Sequence, residues 1–130
     1  MATWHRSMAG IFALCVVLQW NDPDPLAWMA VYGAAAVLGV LAAEGRAPRA
    51  ALGALMLVCA GWMVVLWPGV VEFARRGDLG LIAASMKAEQ PWIEEAREFG
   101  GLLGVLAWCA TACWRRGSAA SGAAGPARPA

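Results

Sequence analysis

The sequence predicts an all-α integral membrane protein, a four-helix bundle with a short interfacial helix in its third loop. Of the 130 residues, 61% are apolar and only 15% are charged, and the mean hydropathy is +0.58. A soluble domain has about 45–50% apolar and about 25% charged residues, so this chain has too few polar side chains to cover a globule. The apolar residues also form windows of the length that crosses a bilayer.

Four such windows follow one another along the chain, over residues 4–20, 26–43, 50–71 and 99–114. The first and last are short for a span, so we expect their helices to continue into the headgroup region, the fourth from about residue 95. We therefore predict a membrane domain over residues 1–116. A disordered tail is expected over residues 117–130, because its small residues and prolines have nothing to bury.

The first window has a second interpretation, a signal peptide, because Arg6 precedes an apolar segment. A cleavage site needs small residues, whereas Leu18, Gln19 and Trp20 occupy those positions. We therefore expect this segment to be retained as the first span.

The basic residues predict the orientation, since cytoplasmic segments carry an excess of Lys and Arg. With four spans, the N-terminus, the loop 44–49 and the tail share one side, with six basic residues and one acidic residue. The loop 72–98 on the other side holds four basic and six acidic residues. Both termini are expected in the cytoplasm, and the membrane is the plasma (inner) membrane if the protein is bacterial.

The long third loop contains one amphipathic stretch. Its apolar residues recur at the spacing of one helical face, opposite Lys87 and Glu89; they are Leu79, Ile82, Ala83 and Met86. We predict a short helix that lies in the headgroup plane or caps the bundle.

Several function classes are excluded or left without support. The scattered arginines form no basic face, so nucleic-acid binding is not indicated. The spans contain no ionisable acid or base near their centres, which argues against a small proton-coupled antiporter. The sequence shows no phosphate loop, paired histidines or Ser-His-Asp set, so no enzyme class is indicated. The only histidine, His5, is interpreted as an interfacial side chain.

Small and sulfur-containing residues within the spans have packing interpretations. Cys109 and Cys113 share a helical face, a spacing compatible with soft-metal binding or lipidation. Packing is the favoured interpretation, as for the other two cysteines, Cys15 and Cys59. Gly39 with Ala43, and Gly100 with Gly104, predict close helix contacts within the chain or between copies. Interfacial aromatic belts are expected from Trp4, Trp20, Trp28, Trp67, Trp92 and Trp114.

The segment between the first two spans is the first of two acidic segments. Asn21 is expected in a left-handed conformation after a helix end, Asp24 as the cap of the next helix, and Pro25 at its first position. Asp22 is left without a structural role. The second segment follows Pro91, with Glu94 and Arg97 as an ordinary i, i+3 pair.

The second segment contains more glutamates than favourable interaction with the N-terminal end of the helix dipole explains. If the two segments meet, five carboxylates face one guanidinium: Asp22, Asp24, Glu94, Glu95 and Glu98 against Arg97. Such crowding must raise the carboxyl pKa values, recruit Arg75 or Arg76, or bind a hard cation through oxygen ligands.

The two acidic segments and their neighbours form a longer pattern: Gln19, Asn21-Asp22-Pro23-Asp24, Trp28 and Tyr32, then Glu94-Glu95, Arg97-Glu98, Gly101 and Ala107-Trp108. This pattern resembles the transmembrane protein 220 family of small multi-pass proteins. It covers two of the four spans and their junctions. The resemblance implies a membrane protein, supplies no reaction, and supports treating the two acidic segments as a pair.

The sequence therefore predicts an outward-facing acidic junction that serves as an interaction or cation-binding site. We define the acidic junction as Asn21, Asp22, Asp24, Glu94, Glu95, Arg97 and Glu98. Asp22, Glu95 and Glu98 are the expected ligands of a divalent cation, with no other cofactor indicated. Arg97 is the expected charge partner, and Asn21 and Asp24 are expected to fix the turn. Expected partners are the lipid bilayer and either another membrane protein or a second copy.

Two other functions remain as alternatives. In the first, the protein is a subunit of an oligomeric channel or transporter, and an acidic ring selects cations at its mouth. In the second, paired carboxylates act as acid and base of an intramembrane hydrolase. The hydrolase is disfavoured because no nucleophile lies near the acids in the sequence.

Overall fold

The structure is a computed structural model that describes residues 1–22, 24–76 and 90–123, with side chains described as far as residue 114. Every regular element in these residues is helical, which confirms the predicted all-α class. The elements are α1 (Ala2–Leu18), a 3₁₀ helix (Gln19–Asn21), α2 (Pro25–Ala43), α3 (Arg49–Arg76) and α4 (Pro91–Ala123).

The helices pack as two antiparallel pairs, α1 with α2 and α3 with α4. In the first pair, Gly39 near the end of α2 contacts Ala9 near the start of α1. In the second pair, Gly69 near the end of α3 contacts Glu95 near the start of α4. The start of α4 therefore lies beside the end of α3.

Aromatic side chains join the two helix pairs. The ring of Trp28 from α2 stacks on Trp62 from α3, with centroids 4.6 Å apart. Phe12 from α1 packs edge-on against Trp108 from α4, at 5.4 Å. Such aromatic pairs contribute about 0.5–1.5 kcal/mol beyond the area they bury. The core between the pairs is therefore largely aromatic and aliphatic.

The turn between α2 and α3 depends on a glycine. Gly45 has a φ of 72°, a left-handed conformation that glycine adopts without a Cβ clash. The amide of Arg46 donates to the carbonyl of Leu41 at 2.7 Å, and that of Gly45 to Ala42 at 3.1 Å. These two bonds form the Schellman arrangement that ends a helix.

One of the two predicted close contacts of small residues is present within the chain. A Cβ added to Gly39 would lie 2.8 Å from the Cβ of Ala9 and 3.1 Å from its Cα. A Cβ on Gly100 or Gly104 would meet nothing within 4 Å among the residues that the structure describes. The first glycine therefore lets α1 and α2 approach, whereas the other two lie on a face of α4 that no described residue covers.

Two of the four predicted spans meet a length and hydropathy criterion for crossing a membrane, among the residues described. They are Pro25–Ala43 and Arg49–Arg76, each of which contains a stretch long and apolar enough to cross a membrane. Helix α1 has 17 residues, and the apolar part of α4 directly follows the acidic turns that end at Glu98. The crossing of the first and fourth segments stays a prediction.

Helix α4 continues past residue 116 to Ala123. The predicted boundary of the membrane domain at residue 116 stays a prediction. Residues 124–130 lie outside the described residues. The predicted interfacial helix over residues 79–86 also lies outside them.

Candidate functional site

The two acidic segments meet at one end of the bundle. The 3₁₀ helix that follows α1 is closed by a bond from the amide of Asp22 to the carbonyl of Gln19, at 3.1 Å. Asn21 is the exposed last residue of this 3₁₀ helix, and no described non-glycine residue has a positive φ. The expected left-handed Asn21 is therefore wrong, because the chain leaves α1 through a further right-handed turn.

The backbone leaves the 3₁₀ helix in an extended conformation at Asp22, with φ −77° and ψ 153°. The Oδ1 atom of Asp22 accepts a hydrogen bond from the amide of Asp24 at 3.2 Å, which is an Asx turn. The Asp22 side chain is half-buried. This turn gives Asp22 the local structural role that the sequence left unassigned, and it restricts the orientation of the carboxylate.

Asp24 occupies the N-cap position of α2, and Pro25 lies at the start of the helix as predicted. The Asp24 side chain is exposed and makes no capping hydrogen bond, so its predicted role as a cap is wrong. The backbone explains the difference. Capping residues usually lie in the β region, whereas Asp24 has φ −119° and ψ 59°.

Three carboxylates from the two segments lie together. One oxygen each from Asp22, Glu94 and Glu98 falls in a group whose members are all within 4.8 Å of one another. Glu94 and Glu98 share a face of α4 because they are four residues apart. All three residues are half-buried. We call these three residues the carboxylate cluster.

Glu98 has the most perturbed environment of the three. It precedes Phe99, where the apolar part of α4 begins. Burial, and then the charges of Glu94 and Asp22, raise the pKa of Glu98 to about 7. The charge of Arg97 and a hydrogen bond from the Trp28 indole oppose this rise in pKa. Glu98 therefore exchanges its proton near neutral pH.

A second contact lies one helical turn further along both helices. Tyr32 follows Trp28 by four residues, and Gly101 follows Glu98 by three. The hydroxyl of Tyr32 lies against Gly101, where any Cβ would overlap it. The absence of a side chain at residue 101 therefore makes room for the hydroxyl.

Glu95 lies apart from the carboxylate cluster. Its carboxylate packs against Gly69 of α3, where a Cβ would overlap it. Consecutive helical residues are rotated by about 100°, so Glu95 points toward α3 when Glu94 and Glu98 point toward Asp22. The structure thus groups Asp22, Glu94 and Glu98, in place of the expected set of Asp22, Glu95 and Glu98.

The basic residues around the junction have different roles. Arg97 is half-buried, and its charge favours the ionised form of Glu98. The Nε of Arg76 donates to Glu72 at 2.7 Å, and its guanidinium lies 5.1 Å from the centre of the Trp92 ring. Arg76 is thus held by an ion pair and an aromatic ring at the end of α3.

The sequence profile of the family described as "Transmembrane family 220, helix" matches residues 11–114. The chain belongs to transmembrane family 220. The match includes both acidic segments and the whole of α2 and α3, so the resemblance predicted from the sequence is confirmed. No solved structure matches the chain.

Three residues of the pattern that resembled transmembrane family 220 lie beside the carboxylate cluster, although the sequence assigned them no part in it. They are Trp28, Tyr32 and Gly101. Trp28 was expected in an interfacial belt, but its side chain is only 2% exposed. The spacing in the sequence is the signal that could have identified these residues. Trp28 and Tyr32 are four residues apart on α2, and the two positions of α4 that they face are three residues apart.

The oxygen atoms of this site in the family 220 chain determine what it can bind. Three carboxylates from two separate chain segments offer oxygen atoms, the ligand type that hard cations such as Ca²⁺ and Mg²⁺ take. The donors are half-buried, so their mutual repulsion is screened less than it would be at an open surface. A proton or a cation relieves that repulsion.

Proposed function

We propose that this member of transmembrane family 220 is a four-span membrane protein whose acidic junction binds a divalent cation through Asp22, Glu94 and Glu98. The observation that carries the proposal is the approach of these carboxylates, within 4.8 Å, from two segments far apart in the sequence. Both termini lie in the cytoplasm in this proposal, and the junction faces outward.

The surface of the bundle supports the membrane part of the proposal. Large apolar side chains are exposed on all four helices, including Leu14, Val37, Val64 and Leu103. An apolar surface of this extent on a soluble monomer would be an aggregation liability, whereas in a bilayer it contacts lipid. The two helices that meet the span criterion each pair with one of the other two.

The local charge supports the cation part of the proposal. The carboxylate cluster has three acidic groups, and Arg97 is the cation identified as acting on Glu98. Protonation of Glu98 removes one negative charge and lets its carboxyl donate a single hydrogen bond to one neighbouring carboxylate. A divalent cation attracts all three carboxylates, so it stabilises the folded arrangement more than one proton does.

One observation favours a second candidate, an oligomeric channel or transporter subunit. Gly100 and Gly104 lie on an exposed stretch of α4 with no described atom within 4 Å of a Cβ added there. Glycines at this spacing let membrane helices approach closely. In this candidate, copies of α4 meet along these glycines and place their carboxylate clusters around a shared mouth.

A thermal-shift series tests the cation site. The purified protein in detergent is melted with EDTA, and then with Ca²⁺, Mg²⁺, Mn²⁺ or Zn²⁺. We expect a selective rise in melting temperature, because a ligand that binds only the folded state stabilises it. The rise should disappear in Asp22→Asn, Glu94→Gln and Glu98→Gln. Glu95→Gln is the matched control and should keep it.

A flat response to every cation would contradict the proposal, as would an unchanged response in the three cluster variants. A response lost in Glu95→Gln and kept in Glu94→Gln would move the site to the ligand set expected from the sequence. The channel candidate requires oligomers in detergent and cation conductance in liposomes. A protein that is only monomeric in detergent and shows no conductance in liposomes would exclude the channel candidate.

A further inference from the structure

An apolar groove lies between α3 and α4 on the outer surface of the bundle. It has a volume of about 460 Å³, within the range of about 300–1,000 Å³ found for pockets that hold small ligands. Both helices supply apolar residues to its lining, which consists of Ala60, Met63, Val64, Trp67, Phe99 and Leu106. The side chains of Val64 and Trp67 are largely exposed. The groove is therefore open to the surroundings of the bundle and is not a gap in its core.

The groove runs along the two helices. The rings of Trp67 and Phe99 lie 5.9 Å apart, at the end of the groove nearer the start of α4. Ala60 precedes Trp67 by seven residues, and Leu106 follows Phe99 by seven, so these two mark the other end in the antiparallel pair. Seven helical residues span about 10 Å. A long, narrow and apolar groove of this kind fits an acyl chain that lies parallel to the helices.

An arginine lies beyond the Trp67 end of the groove, on the same side of α3. Arg75 follows Val64 by 11 residues, which is close to three helical turns. Its side chain is exposed, and it forms no ion pair with any residue that the structure describes. Glu72, one turn earlier on the same helix, pairs with Arg76 at 2.7 Å. The guanidinium of Arg75 is therefore available to an external anion.

Arg75 and the groove lie at the levels of a phosphate and an acyl chain in a bilayer. Helix α3 has 28 residues and is thus about 42 Å long, whereas the hydrocarbon core of a bilayer is about 30 Å thick. The apolar stretch of α3 ends at Val71. Arg75, one turn later, is therefore at the depth of the headgroups, and the groove lies in the hydrocarbon below it.

Charge favours a phospholipid over a second copy of the chain as the occupant of the groove. Two copies related by a two-fold axis meet through the same surface. If they lie in the membrane with the same orientation, such a contact brings two Arg75 guanidinium groups to the same level, where they repel each other. A lipid phosphate carries the opposite charge, and arginine can bind a phosphate through two parallel hydrogen bonds.

We infer that the groove between α3 and α4 binds one phospholipid, whose acyl chain lies between Ala60 and Trp67 and whose phosphate pairs with Arg75. The inference goes beyond the proposed cation site and uses none of its carboxylates. Basic side chains near a bilayer surface attract anionic lipids. The groove adds contacts with two helices along the chain, so this lipid should exchange more slowly than its neighbours.

Native mass spectrometry of the delipidated full-length protein tests this inference, because one spectrum counts both bound lipids and protein copies. The protein in detergent is titrated with dioleoyl phosphatidylglycerol and, separately, with dioleoylglycerol, which has the same chains but no phosphate. Arg75→Gln removes the guanidinium, and Arg49→Gln, at the exposed other end of α3, is its control. Ala60→Phe fills the groove. Its control is Val65→Phe, at an exposed position outside the lining.

We expect the first phosphatidylglycerol to bind about fivefold more tightly than dioleoylglycerol. The two lipids should bind equally to Arg75→Gln, because only the phosphate loses a partner. Ala60→Phe should weaken both lipids by about tenfold, since the added ring occupies the place of the chain. Arg49→Gln and Val65→Phe should bind as the parent does.

Three results would overturn the phospholipid site. The first is equal binding of the two lipids by the parent protein, or equal effects of Arg75→Gln and Arg49→Gln. The second is unchanged lipid binding in Ala60→Phe. The third is a dimer without bound lipid that Ala60→Phe dissociates, which would make the groove an interface between copies. The thermal shift with cations is a separate measurement, so failure of the lipid site and failure of the cation site are distinguishable.

Discussion

The hydroxyl of Tyr32 in α2 lies directly against Gly101 in α4, with no room between them for a Cβ. This contact joins the two helix pairs one turn below the carboxylate cluster. It also explains why a residue without a side chain follows Glu98 by three positions. Changes at Gly101 should therefore affect both the packing of the bundle and the position of Tyr32.

Gly101→Ala should destabilise the protein by about 1–3 kcal/mol, because the added methyl group displaces the Tyr32 hydroxyl and overpacks the contact. The neighbouring Gly100→Ala is the control, since a Cβ there meets nothing within 4 Å among described atoms. Alanine favours a helix over glycine by up to about 1 kcal/mol, so Gly100→Ala should be neutral or stabilising. Detergent melting curves measure both. Equal effects of the two changes would contradict the described contact.

Gly39→Ala should destabilise the α1–α2 pair by about 1–3 kcal/mol. The new Cβ would lie 3.1 Å from the backbone Cα of Ala9, so a side-chain rotation cannot relieve the overlap and the helices must separate. Gly53→Ala in α3 is the control, because a Cβ there meets nothing within 4 Å in the described part of the chain. Melting temperatures should fall for the first variant only. An unchanged melting temperature for Gly39→Ala would contradict the helix approach.

The stability of the protein in EDTA should fall as the pH rises from about 4.5 to about 7, in part because of Glu98. Its pKa is raised from 4.5 to about 7 in the folded state. In this pH range the folded protein holds a proton that the unfolded chain has released, so stability decreases with rising pH. Above pH 7 the cost of the buried charge is fully present.

Glu98→Gln should flatten the pH dependence of the melting temperature in that window, since glutamine does not titrate. Glu44→Gln is a suitable control, because Glu44 is exposed at the other end of the bundle and pairs with Arg46 only at 3.5 Å. The comparison uses melting curves at intervals across the window. The same slope in the parent and in Glu98→Gln would show that Glu98 titrates as an ordinary surface carboxyl.

The proposed topology predicts which positions a membrane-impermeant maleimide reaches in intact cells. In a variant whose native cysteines are replaced, Ser85→Cys should be labelled from outside, because the proposed topology places the loop 72–98 on the outer side. Ser118→Cys should be labelled only after permeabilisation, because it follows the fourth span on the cytoplasmic side. Labelling of both positions from the same side would contradict the four-span arrangement with cytoplasmic termini.

Composition and local patterns predicted the helical architecture but not the direction in which individual side chains point. The helical class follows from the long apolar windows, and the position of Pro25 follows from its fixed φ and missing N–H. The choice between Glu94 and Glu95 depends on the rotation of α4 about its axis. That rotation is fixed by contacts with other helices, such as Glu95 with Gly69, which no local pattern contains.

The roles of the turn residues and of the aromatic residues were likewise not predictable from local sequence patterns. Asn21 and Asp24 are each suited to several turn conformations, and the bond from the Asp24 amide to Asp22 selects one of them. Trp28 is suited to both an interface and a core. Its burial depends on the stacking with Trp62, a residue on another helix pair. Where a residue type fits several structural roles, contacts with other parts of the chain therefore determine which role it takes.

The most direct test of the central claim is an anomalous-scattering map of the protein crystallised with Mn²⁺. We expect one peak in contact with the carboxylates of Asp22, Glu94 and Glu98, and no peak in crystals of Glu98→Gln. A parent map with no peak at the carboxylate cluster, at a Mn²⁺ concentration that saturates the thermal shift, would contradict it.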